Sequence, residues 1–280
     1  MDKTVVITGA SSGFGLLATL ELARNDFSVI ATMRDLRNKD TIIRLCKQDS
    51  ILSKITFMQL DVTNKESIEQ FSNQLTRLPS VDILINNAGF ALGGFCEETA
   101  ISEYEKQFQT NFFGLIKVTQ AVLPYMRKQR SGKIINLSSI SGKIGFPGLS
   151  PYVASKHALE GWSECLRLEV KPFGIDVALI EPGSFSTNIW TKGKKIAEKS
   201  TVVTSPYSSY MEAIEKELES GKSNHCDPRE VANLIVNLCS KKEITKLRYP
   251  IGKGVKLSLF LKNLIPWKVW ENIFHKRLRV

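Results

Sequence analysis

Long apolar runs are missing from this 280-residue chain, and no segment of it reads as a membrane-spanning helix. Cysteine is scarce: Cys46, Cys96, Cys165, Cys226 and Cys239 form neither a CxxC pair nor a metal-ligand spacing. An odd, scattered set excludes a disulfide-built scaffold and fits a reducing compartment. Histidine is scarcer still. Of three, only His225 has candidate ligands beside it, Cys226 and Asp227, and no second pair accompanies them, so no metal site is expected. Acid is lacking at one end: residues 241–280 hold eleven Lys or Arg against Glu243 and Glu271, a net +9 out of the chain's +10. The first 240 residues are therefore close to neutral, which argues against a nucleic-acid-binding body. MDKT runs straight into an apolar strand pattern, leaving no room for a cleaved export signal, so a cytoplasmic location is expected.

What is present is ample apolar content, 42 % of residues, arranged as short Val- and Ile-rich runs alternating with amphipathic stretches. That alternation is the mark of βαβ units around a buried parallel sheet. Strands are expected near 4–8, 28–33, 54–60, 81–86, 133–138, 175–181 and 247–251. Helices are expected near 13–25, 64–77, 102–129, 151–171 and 228–240. The fold class is thus α/β, a doubly wound parallel sheet of about seven strands with helices on both faces. No repeat or low-complexity linker divides the chain, so residues 1–250 read as one domain and 251–280 as a basic extension. Between 184 and 221 the alternation gives way to Gly-, Lys-, Ser- and Thr-rich sequence, then a helical pattern from Pro206. Leaving the carboxyl end of a strand, this segment is expected to be a substrate lid; an ordinary surface excursion is the alternative.

Three features carry chemistry. TGASSGFG at 8–15 joins the first strand to the first helix, where Gly9 permits a tight turn and Gly13 and Gly15 let backbone amides approach a pyrophosphate. Tyr152 and Lys156 frame YVASK, one helical turn apart, so that an ammonium beside a phenol would favour its ionised form. Ser139 stands thirteen residues before the tyrosine. The pentapeptide alone says little, because Tyr249 and Lys253 repeat YxxxK in YPIGK, where Pro250 and Gly252 argue against a helix and no serine precedes at the same distance.

TGxxxGxG, Asp61 in LDVT, NNAG at 86–89, Asn111, Ser139 in NLSSISG, Tyr152, Lys156, and Pro182–Gly183 with Thr187 follow one another in register over residues 3–190. In this the chain resembles the classical short-chain dehydrogenase/reductase family. The resemblance implies a Rossmann-type nicotinamide-binding domain in which Tyr152 exchanges a proton with the substrate oxygen and Ser139 holds that oxygen. It further implies that Lys156 grips the nicotinamide ribose and lowers the tyrosine pKa, and that Asn111 positions a relay water. Cofactor contacts are implied for Gly9, Ser11, Ser12, Gly13, Phe14 and Gly15, for Asp61 and Val62, for Asn87, Ala88 and Gly89, and for Pro182, Gly183, Phe185 and Thr187. Asp61 as a helix cap is the competing reading. A dimer or tetramer through helices 102–129 and 151–171 is also implied.

The end of the second strand reads ATMRD. Arg34 there suits a 2′-phosphate and favours NADP(H), while Asp35 keeps NAD(H) as the competing reading. ATMRDL and TGASSGFG are similar to the 17β-hydroxysteroid and retinol dehydrogenase branch, which implies an apolar alcohol or carbonyl of steroid, retinoid or aliphatic type. Phe95, Ile144, Phe146, Leu149, Phe185 and Trp190 are candidate pocket residues. A 3-oxoacyl-carrier-protein reductase and a non-catalytic dinucleotide-sensing protein are the alternatives. From Pro266 a helical pattern sets Trp267, Trp270, Phe274 and Leu278 along one stripe, with Lys268, Asn272, His275 and Arg279 opposite. Such a helix either covers the pocket, lies on a membrane surface or meets an acidic partner.

Overall fold

Val5, Val6 and Ile7 are all completely buried, a pattern no one-sided strand can show. The computed structural model, which describes residues 3–46, 48–187, 194–221 and 225–278, explains it with helices on both faces of a seven-stranded sheet. The chain begins with β1 (Thr4–Ile7), α1 (Gly13–Arg24), β2 (Ser28–Met33), α2 (Lys39–Leu45), α3 (Asp49–Leu52), β3 (Ile55–Gln59) and α4 (Lys65–Leu75). It continues with β4 (Ile83–Asn86), β5 (Ala91–Gly93), α5 (Ile101–Phe108), α6 (Leu115–Gln129), β6 (Gly132–Leu137), α7 (Ser150–Val170) and β7 (Ile175–Pro182). It closes with β8 (Lys194–Ile196), α8 (Ser208–Ser220), α9 (Arg229–Ser240), β9 (Arg248–Ile251), α10 (Val255–Leu264) and α11 (Trp267–Leu278).

The main sheet runs β3-β2-β1-β4-β6-β7-β9, every neighbouring pair parallel. Side chains alternate between two cores. Val5, Ile7, Ile85, Ile135 and Ile180 meet Ala18 and Leu22 of α1 and Val231, Ile235 and Leu238 of α9. Val6, Leu84, Ile134 and Val177 meet Phe71 of α4, Val118 and Val122 of α6 and Leu166 of α7. The seven expected strands are all present, as are the helices near 13–25, 64–77, 151–171 and 228–240.

Three departures matter for the site. The helix expected over 102–129 is broken by a π-helical turn, Gln109–Gly114, between α5 and α6. A Cβ on Gly114 would stand 2.6 Å from the carbonyl oxygen of Val62, so the helix passes unusually close to the loop after β3. Secondly, β5 and β8 form a small parallel sheet of their own, registered Ala91↔Lys194 to Gly93↔Ile196. It ties the segment after β7 to the loop after β4, and α8 follows from it. Lastly, α10 precedes the expected tail helix; its Val255 is buried against Gly183, where a Cβ would approach Val255 Cγ2 to 2.5 Å. Trp190 and Arg279 lie outside the described residues. Among the described residues, no helix is long and apolar enough to cross a membrane.

Candidate active site

Strand order reverses between β1 and β4, and in open parallel sheets that switch point opens a crevice at the carboxyl ends of the strands. Here it is a cavity of about 1180 Å³. Gly9, Met33, Asn87, Leu137 and Pro182 all line it from strand ends or the residues just beyond.

The glycine loop forms one wall. Gly9 sits at φ +67 with its α-carbon side against Ala88, whose Cα would lie 2.9 Å from an added Cβ. The Thr8 hydroxyl accepts hydrogen bonds from the Asn87 and Ala88 amides, both at 3.0 Å, and the Asn87 side chain donates to the Thr8 and Gly9 carbonyls. These bonds lock the loops after β1 and β4 together. Gly13, at φ +55, faces open space: an added Cβ would meet nothing nearer than Thr187 Cβ at 4.0 Å. A side chain there would fill the cradle at the start of α1, where unpaired backbone amides and the helix dipole attract an anion. Ser11, Ser12, Phe14, Asp61, Val62, Gly89, Gly183, Phe185 and Thr187 complete the expected set lining the cavity.

Gly15 differs from its neighbours in the loop: it does not line the cavity, and a Cβ there would lie 2.3 Å from the Gly9 carbonyl oxygen and 2.5 Å from Asn87 Nδ2. Its smallness lets α1 close onto the loop, which is a packing role. Asp61 does not act as the helix cap. Asn64, not Asp61, caps α4, accepting from Ser67 N at 2.7 Å, while Asp61 Oδ1 accepts from the amide and hydroxyl of Thr63 at 2.9 and 2.7 Å.

At the end of β2, Arg34 is exposed and lines the cavity. Asp35 does not. Its carboxylate accepts from Arg37 Nε at 2.9 Å and Nη2 at 2.6 Å, and from the Arg37 amide at 3.0 Å. The Arg37 guanidinium holds this carboxyl below its ordinary value.

On the other side of the crevice Ser139, Tyr152 and Lys156 come together, all buried and all lining the cavity. Ser139 Oγ accepts from the Ser141 amide at 3.1 Å, and its hydroxyl is hydrogen-bonded to Tyr152. Lys156 Nζ lies 5.7 Å from the centre of the Tyr152 ring and donates to the Leu137 carbonyl at 2.6 Å, which anchors α7 to the end of β6. The expectation of a lowered phenol pKa is not met. Burial pushes Tyr152 up to about 12, against a smaller lowering from Ser139. Burial also pulls Lys156 down to about 8, with the Glu160 carboxylate opposing it. At this site desolvation outweighs the neighbouring charge.

Asn111 owes its place to the π-helical turn. Its Oδ1 accepts from the Phe90 amide at 3.1 Å and its Nδ2 donates to the Phe90 carbonyl at 3.0 Å, so both ends of the amide hold the chain just past NNAG. Ser155 Oγ is 3.5 Å away. Extra turns of this kind inside helices recur where a side chain must be re-aimed.

Sequence reasoning missed a buried charge cluster behind Lys156. Ser138 donates to Glu160 Oε1 at 2.5 Å, and Arg248 Nε lies 2.8 Å from Glu160 Oε2 and 3.4 Å from Glu181 Oε1. Burial, then the neighbouring Glu160, raises Glu181 to about 7. No local motif marks these residues, since they come from α7, β7 and β9. Also unforeseen was Lys195 of β8, which lines the cavity and sits 4.6 Å from the centre of the Phe90 ring.

Among the described residues of the expected substrate pocket, only Phe185 borders the cavity, packed edge-on to Phe14. Phe95 is instead stacked on Tyr207 at 4.4 Å, Phe146 meets Phe274 of α11 at 5.9 Å, and Ile144 is buried. Leu149 bridges to Gly94. The second YxxxK falls apart as expected: Tyr249 lies on β9 and Lys253 in the turn after it, and neither lines the cavity. All five cysteines are unpaired, and among the described residues no cluster of His, Cys, Asp and Glu is placed to hold a metal.

Comparison with known proteins matches residues 3–197 to the family described as short chain dehydrogenase. The chain is 48 % identical, over 99 % of its length and 98 % of the relative's, to the uncharacterized oxidoreductase YusZ of Bacillus subtilis. It is 37 % identical to the 3-ketodihydrosphingosine reductase of Bacteroides thetaiotaomicron, over 99 % of this chain and 97 % of that one. Among solved structures, ElxO with NADP bound superimposes with a TM-score of 0.74 at 28 % identity, covering 92 % of this chain and all of that one.

Proposed function

This chain belongs to the short-chain dehydrogenase family of oxidoreductases, and on that premise we propose an NADP(H)-preferring enzyme that interconverts an apolar carbonyl and its alcohol. One observation carries the proposal: Ser139, Tyr152 and Lys156 converge on the same cavity that the Gly13 cradle and Arg34 open onto.

The cavity fits a dinucleotide. The α1 N-terminus and Gly13 would hold the pyrophosphate, and Asp61 and the Asn87–Gly89 backbone the adenosine half. Lys156 and the Pro182–Thr187 segment would hold the nicotinamide end. Arg34, with Asp35 already neutralised by Arg37, supports a 2′-phosphate rather than free ribose hydroxyls. NADP(H), when bound, supplies or accepts the hydride. All else belongs to the chain. The Ser139 hydroxyl orients the substrate oxygen, and the Tyr152 phenol, neutral across physiological pH, donates its proton as charge builds on that oxygen. Lys156, still mostly a cation at pH 7, stabilises the phenolate left behind.

The likeness to a 3-ketodihydrosphingosine reductase supports a ketone on an apolar body as substrate. We also infer self-association through α5, the π-helical turn, α6 and α7, where Phe113 of the turn and Leu168 of α7 are exposed. The decisive test is an NADPH-oxidation screen over aliphatic 3-ketones, retinal, steroid ketones and 3-oxoacyl thioesters, run in parallel with NADH. Turnover of an apolar ketone or aldehyde with NADPH favoured is the expected result. Turnover of thioesters alone would point to a carrier-protein reductase, and NADPH binding without any turnover to a dinucleotide sensor.

A further inference from the structure

Seven of the fifteen exposed large apolar side chains among the described residues fall within residues 257–273. Elsewhere, Phe113 and Leu168 apart, they are scattered singly and need no explanation. Here they are organised. Leu257, Phe260, Leu261 and Leu264 occupy positions i, i+3, i+4 and i+7 of α10, one face of that helix, and are 38 % to 62 % exposed. Val255, at the start of the same helix, is buried and anchors it to the sheet through Gly183.

The next helix divides differently from the stripe its sequence suggests. Phe274 of α11 packs on Phe146 and on Trp270, and Leu278 is buried, so this side faces the body of the protein alongside α8. Trp267, expected with them, is 62 % exposed, and Ile273 on the other side is 48 % exposed. Lys262 of α10 lies 4.2 Å from the centre of the Trp267 ring and 5.4 Å from that of Trp270, joining the two helices at their junction. Cations are concentrated in the same stretch of chain: residues 251–280 hold seven Lys or Arg against Glu271 alone.

We propose that the exposed face of α10 and α11 docks on the surface of an anionic lipid bilayer. Apolar side chains with tryptophan at their edge, framed by lysines and held on a helix pair too short to span, match the interfacial layer of a membrane. The charge selects the occupant. A second copy would bring an equally basic tail against this one, whereas phosphate-bearing headgroups complement it. The proposal does not depend on the catalytic reading, and none of the exposed residues lines the cavity.

The test is flotation of the full chain with vesicles of phosphatidylcholine alone and of phosphatidylcholine mixed equally with phosphatidylglycerol. Co-flotation with the anionic vesicles only, weakened roughly tenfold on passing from low to high salt, is expected. Phe260→Glu with Leu264→Glu should lower vesicle affinity at least about tenfold, with NADPH affinity and sedimentation coefficient unchanged. Lys256→Gln with Lys268→Gln, which leaves the apolar face whole, should weaken binding only to the anionic vesicles. The proposal is overturned by equal flotation with neutral vesicles or by none with anionic ones. A Phe260/Leu264 variant whose main effect is a smaller oligomer would assign the face to a second copy. Retention on polyglutamate without vesicle binding would assign it to an acidic protein.

Discussion

Tyr152 and Tyr249 each stand four residues before a lysine, and the fold treats the two pairs in opposite ways. In α7 the four-residue spacing is one helical turn, so Lys156 comes within 5.7 Å of the Tyr152 ring and both side chains are buried beside Ser139. On β9 the same spacing runs off an edge strand through Pro250 and Gly252, the latter at φ +112, and the pair is pulled away from the cavity. Tyr249 is only half-buried and instead has Lys241 beside its ring. A pentapeptide therefore becomes chemistry only when secondary structure sets its side chains on one face and the sheet brings a third group to meet them.

The contrast can be broken or sharpened by substitution. Tyr152→Phe removes the proposed proton donor, and turnover should fall by about 10³-fold or more. Lys156→Ala should cost on the order of 10²-fold in kcat, with a rise in KM for NADPH that Tyr152→Phe does not share. Arg34→Ala should raise KM for NADPH by roughly tenfold to a hundredfold, the worth of a charge-assisted hydrogen bond, and leave KM for NADH nearly unchanged. The pH profile tests Lys156 further. Burial lowers Lys156 to about 8, so its cation is present below that pH and lost above it. Reduction should therefore hold steady below about pH 8 and decline at most about tenfold per unit above it, while Tyr152 stays protonated throughout. Smallest of all, Tyr249→Phe should leave kcat/KM within about twofold, the ordinary range for a substitution away from any special feature.

Much of this was legible before folding. Strands covered on both faces read as unbroken apolar runs such as VVI and ILI, so all seven strands of the main sheet were recognisable. The glycine loop was legible because glycines clustered at a strand-to-helix turn mark left-handed backbone, which Gly9 and Gly13 adopt. The small β5–β8 sheet was not, since ALG and KKI are too short to show a period, and their pairing spans about a hundred residues of chain. The packing role of Gly15 was not legible, because a glycine needed for packing and one needed for ligand approach look alike until the neighbour at 2.3 Å is seen. The phenol pKa was misjudged for a related reason. Spacing reveals a charge one turn away, but the desolvation that outweighs it comes from the whole fold. The π-helical turn at Asn111 left no signal in a segment of ordinary helical periodicity.

The same limit explains the two ends of the substrate question. Phe95, Ile144, Phe146 and Leu149 were chosen for being apolar in loops near the motifs, and none of them lines the cavity: Phe95 stacks on Tyr207, Phe146 meets Phe274, Ile144 is buried and Leu149 bridges to Gly94. Loop residues carry no register against the sheet, so proximity in sequence says little about which wall they form.

The claim that Tyr152, and not merely a YxxxK pattern, moves the proton is tested most directly by two readings on Tyr152→Phe: the NADPH oxidation rate and the NADPH dissociation constant from cofactor fluorescence. The account predicts that turnover is lost while the dissociation constant stays within about threefold of the parent, since the ring and the cavity wall are kept. Turnover near the parent rate with NADPH still bound would contradict it.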